Sequence, residues 1–135
     1  MTAHTPTDND RLIRNLINTG TISEVNVPFG LARVAIGELL TNWLPWMCPR
    51  AGKVRIWSAP SAGEQCLVLA PGGHLGAGII LTGIYSSRIA PPEGSVDDVI
   101  VDVPVSGKLV LRCGSSSVVI TENSIKALAG RIDLN

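Results

Sequence analysis

The stretch from Val99 to Leu134 repeats one device: a very short run with apolar residues at alternate positions, then a turn. "VIVDVPV" sets Val99, Val101, Val103 and Val105 on one face of an extended chain. "KLVLRC" does the same with Leu109, Leu111 and Cys113, and "SVVITE" with Val118 and Ile120. "SIKALA" adds Ile125, Ala127 and Ala129, and "RIDL" adds Ile132 and Leu134. Side chains of a strand alternate between its faces, so each run is apolar on one side only. The turns fall at "SG", "GSS", "EN" and "AG", at roughly seven- to nine-residue spacing. A ladder of about 40 residues is too small to build a two-layered core alone. The simplest solution is symmetry, with three copies meeting as a β-prism or β-helix around an axis. Val99, Val101, Val103, Val105, Leu109, Leu111, Val118, Ile120 and Ile125 then line that axis.

Upstream the pattern differs. "TDNDRLIRNLIN" reads as one helix, with Thr7 or Asp8 as N-cap, Gly20 as the stop, and Leu12, Ile13, Leu16 and Ile17 on one face. At about 11 residues it is too short to stand alone in water, so its stripe must dock. From Thr21 the period is two. "LARVAI", "TNWLPWM", "KVRIWSA", "EQCLVLA" and "GAGIILTGIY" read as five short strands separated by Gly/Pro turns, which predicts a small closed or nearly closed barrel. "SSRIAPPEGSVDD" carries Pro91, Pro92 and Gly94 and reads as a linker. The expected organisation is a helix and arm over 1–18, a barrel over 19–87, a linker over 88–98 and a stranded spike over 99–135, an all-β chain with one helix.

Of 135 residues, 45% are apolar and only 16% charged, with 11 basic and 11 acidic side chains. Such a surface suits a chain that hides much of itself in partners. A net charge of zero gives no general attraction to nucleic acid or anionic lipid. The start, "MTAHTPTDNDR", lacks the basic and apolar regions of a secretory signal. Cys48, Cys66 and Cys113 show no CxxC spacing and read as reduced thiols, Cys66 and Cys113 in the core.

The ordered series "TNWLPW", "RAG", "WSAPSAGEQCLVL", "GG" and "GIYS" resembles the N-terminal region of the baseplate assembly protein V family, the central spikes of contractile phage tails and tailocins. The likeness spans about residues 10–87. It implies an OB-type barrel followed by a trimeric β-stranded spike, made in the host cytoplasm and carried in a virion or tailocin baseplate. The implied partners are two further copies of the chain, tail tube or hub proteins, baseplate wedge proteins and, transiently, the target envelope. Hub docking would fall to Leu12, Ile13, Leu16, Ile17, Trp43, Trp46 and Trp57. Longer relatives hold a metal with paired histidines at the tip. Here His4 and His74 stand apart and no HxH occurs, so no metal or other cofactor is carried over. A separate tip protein is expected on Arg131, Ile132, Asp133, Leu134 and Asn135.

Two other readings compete. Ser61, Glu64 and His74 offer a nucleophile and possible bases, but nothing in their spacing brings a His to Ser61, so a turn role and no enzyme activity are expected. Trp43, Trp46 and Trp57 with Arg50, Lys53 and Arg55 could stack and hold nucleic acid. Aromatic residues at only 4% and zero net charge weigh against that, and no nucleic-acid partner is expected. An assembly factor that leaves the finished particle is the remaining alternative.

Overall fold

The computed structural model describes residues 6–135 and divides into two compact units, Met1–Pro91 and Pro92–Asn135. Helix α1 spans Pro6–Arg14. The first unit then contains β1 (Ile17–Asn26), β2 (Leu31–Ile36), β3 (Leu39–Leu40), β4 (Leu44–Pro45), β5 (Gln65–Leu69) and β6 (Ile79–Ile84). The second contains β7 (Leu109–Cys113), β8 (Ser116–Thr121) and β9 (Ser124–Leu128). Among the described residues no helix is long and apolar enough to cross a membrane.

The first unit is a closed barrel. Its sheet runs β3-β2-β1-β5-β6, and β4 pairs with β2 on the same edge as β3, through Leu31↔Pro45 and Ala32↔Leu44. The next residue, Trp46, forms a parallel bridge to Ile80 of β6, and the Met47 amide donates to the Ile80 carbonyl at 2.8 Å. This single parallel contact joins the β4 side of an otherwise antiparallel sheet to β6 and closes it into a barrel. Alternation along each strand sends Ile22, Ala32, Val34, Leu44, Trp46, Cys66, Val68 and Ile80 inward as one core. Thr41 is buried too, and its polar atoms are used: its hydroxyl accepts from the Val34 amide and donates to the Asn42 carbonyl.

Several expectations change. Helix α1 ends at Arg14, so Leu16 and Ile17 do not extend its stripe. The sheet claims them: Ala70 N–H donates to the Leu16 carbonyl, and Ile17 pairs with Leu69. The Asn18 side chain donates to the Asn15 carbonyl just past the helix end. Thr7 and Asp8 lie inside the first turn, after Pro6, and not ahead of it. Gly20 sits in mid-strand against Val34. "KVRIWSA" forms no strand. Hydrogen bonds from the Ile56 amide to the Arg50 carbonyl and from Gly52 to Val54 curl it into a loop. The fifth barrel strand is β1 instead.

In the second unit β7-β8-β9 is an antiparallel meander, and nothing beyond Pro91 is buried. "VIVDVPV" and "RIDL" form no strands. A strand needs a neighbour for its backbone groups, and within one chain these runs have none. Pro104 also lacks an N–H, and its carbonyl closes a turn with Gly107.

Candidate assembly surfaces

The meander is in strict register. Leu109 stands opposite Ile120, which stands opposite Ile125; one row on, Leu111 faces Val118, which faces Ala127. Five of the nine expected axis residues, Leu109, Leu111, Val118, Ile120 and Ile125, therefore share one face of three paired strands. Leu111 is 60% exposed and Ile125 75% exposed, so this face is uncovered within the chain. The opposite face mixes Val110, Arg112, Ser117, Val119, Lys126 and Leu128. Turn chemistry fixes the register: Gly114 supplies the left-handed φ of 58° after β7, and the Thr121 and Ser124 hydroxyls bond at 2.7 Å across the next turn.

The other four, Val99, Val101, Val103 and Val105, lie in irregular chain and are exposed, Val99 almost completely. Cys113, expected in the core, is exposed at the end of the apolar face opposite Ser116. Arg131 and Asp133 form a solvent-exposed ion pair at 2.8 Å, with Ile132 and Leu134 exposed beside it.

The seven expected docking residues separate by environment. Trp46 is only 9% exposed and belongs to the barrel core, which corrects its assignment to a docking surface. Its ring lies 5.4 Å from that of Trp57, tilted by 57°, and Trp57 is itself 61% exposed. Leu12 presses its backbone on Gly73, where a β-carbon would meet the Leu12 carbonyl oxygen. Ile13 remains exposed on the helix. Trp43 is partly exposed beneath Arg33, whose guanidinium carbon lies 5.9 Å from the ring centre. Arg33 also donates to the Thr41 carbonyl and pairs with Glu24 at 3.5 Å. The place of Arg33 between inward Ala32 and Val34 points it outward, a signal that alternation alone carries.

A larger surface lies on the far wall of the barrel, and its pattern shows only once strands are paired. In β1, β5 and β6 the outward residues fall into rows, Ile17–Leu69–Ile79 and Thr19–Leu67–Leu81. Alternation in β5 sets Leu67 and Leu69 opposite buried Cys66 and Val68, and pairing with β1 and β6 joins them to their neighbours.

Ser61 and Glu64 do meet, as a closed turn. The Ser61 amide donates to Glu64 Oε1 at 3.2 Å, and the Glu64 amide donates to the Ser61 carbonyl. The His74 amide donates to the Pro71 carbonyl in a separate turn. Buried Cys66 has its thiol pushed up to about 11 by desolvation, with the Glu64 charge adding to the effect.

Residues 18–85, which cover the barrel from β1 to the end of β6, match the model of the Type VI secretion system/phage-baseplate injector OB domain. The chain belongs to this family. A barrel of five main strands closed by one parallel contact is the architecture that the family description names. The chain is also similar to the spike protein of Escherichia phage P2, with 47% identity over 87 residues. That stretch covers 64% of this chain but 41% of the relative, so the chain spans under half the length of that relative.

Proposed function

We propose that this chain is the structural central spike of a contractile injection tail, acting as a trimer. The observation that carries the reading is the apolar face of β7-β8-β9, rows Leu109–Ile120–Ile125 and Leu111–Val118–Ala127, left without cover in a single chain. Three such sheets facing one axis bury it. Fully paired strands resist bending, because flexure breaks many backbone hydrogen bonds together. In the assembled spike Val99–Val105 gain neighbouring strands from other copies, and their alternate valines join the core. Trp43 and Trp57 of the barrel unit and Ile13 of α1 are exposed and would meet tube, hub and wedge proteins. Exposed Ile132 and Leu134 offer the ground for a tip protein. On contraction the tube drives the trimer into the target envelope, and no chemistry at the barrel is required.

Quantitative peptide mass spectrometry of purified particles tests this role. Three copies per particle are expected. Absence of the chain from finished particles contradicts the spike and favours an assembly factor.

A further inference from the structure

The outward rows of β1, β5 and β6 form a belt of unusual chemistry for a solvated barrel wall. Ile17 is 66% exposed, Ile79 37% and Leu81 39%, with Leu67 and Leu69 half-buried between them. Met47, whose amide donates to Ile80, carries the apolar surface past β6 and is also exposed. Neither row contains a charged residue. The wall near β2 is different, since there Glu24, Arg33 and Trp43 form a charged, aromatic cluster.

We infer that this belt is a second interface between copies of the chain, formed barrel to barrel and separate from the β7-β8-β9 face. The inference rests on the trimer reading. Interfaces between identical subunits are the more apolar kind and exclude charge from their centre, whereas contacts with separately folded partners keep ordinary surface polarity. The belt fits the first description, and the Arg33–Trp43 cluster fits the second. Tethering supplies the rest of the drive. Only 24 residues separate Ile84 from Leu109. A joined spike therefore holds the three barrels at an effective concentration on the order of millimolar, enough to populate a weak apolar contact.

Thiol labelling of the full chain, purified without partners, tests the belt. Leu81→Cys places a thiol on it, and Glu38→Cys places a control thiol in the exposed turn between β2 and β3. Labelling is followed by peptide mass spectrometry, and the mass of each sample is measured by light scattering. In the assembled chain the thiol at 81 should react about tenfold or more slowly than that at 38, since it reacts only when the contact opens. Ile79→Cys should be protected in the same way. Equal rates at 81 and 38 in a sample with trimer mass overturn the belt interface and leave the trimer standing. A chain that stays monomeric overturns both.

Discussion

Gly20 of β1 lies directly against Val34 of β2. A β-carbon on Gly20 would meet Val34 Cγ1 at 2.4 Å and the Ala35 carbonyl oxygen at 3.0 Å. Val34 is wholly buried, so it has no open space to turn into. Gly20→Ala should therefore cost about 1–3 kcal/mol by overpacking. In urea unfolding this appears as a lower midpoint at unchanged slope. Val34→Ala in the same chain should recover part of the loss, and strictly additive effects would show that the two sites do not press on each other.

The paired tryptophans should behave unequally. Trp46→Ala empties a core position beside the barrel-closing bridge, and about 3–5 kcal/mol of stability should go with it. Trp57→Ala removes an exposed ring, and loss of its contact with Trp46 should cost about 0.5–1.5 kcal/mol. Thermal unfolding of the two variants checks the order. A Trp57 variant as unstable as the Trp46 variant would make Trp57 a core residue.

Cys66 predicts an alkaline loss of stability. Folding raises its thiol from 9.0 to about 11, so the unfolded chain releases this proton first. The contribution of the neutral thiol is complete below about pH 9 and is lost as pH rises toward about 11. The full effect is about 3 kcal/mol at one end of that range relative to the other. Urea unfolding at pH 8 and at pH 10.5 should show a smaller decline for Cys66→Ala than for the parent chain. Equal declines would place the alkaline sensitivity elsewhere.

What was legible in the sequence follows from which forces are local. The strand runs "LARVAI" and "EQCLVLA" and the core place of Cys66 were legible, because a half-buried strand shows its period directly. The turn residues around Gly114 and Ser124 placed β7, β8 and β9 nearly correctly. The strand Ile17–Asn26 was hidden because its inward positions include Gly20, which packs by having no side chain. "KVRIWSA" misled in the opposite direction, since its apolar pattern belongs to a loop closed by its own hydrogen bonds. Trp46 read as a surface ring, but its burial depends on closure against Ile80, a contact between distant segments. The outer belt was invisible for the same reason, as it exists only once three strands lie in register. For Val99–Val105 and "RIDL", pairing depends on neighbours that one chain does not supply.

Light scattering of the full chain against a Val118→Asp variant tests the central claim most directly. Val118 lies at the middle of the apolar face, and an unpaired charge buried there is strongly disfavoured. Lys126→Asp, on the opposite face, serves as the control. The parent chain and the Lys126 variant should both give about 43 kDa, three chains of 14.2 kDa, while Val118→Asp gives monomer or aggregate. A parent chain that remains a well-behaved 14.2 kDa monomer at tens of micromolar would contradict the trimeric spike.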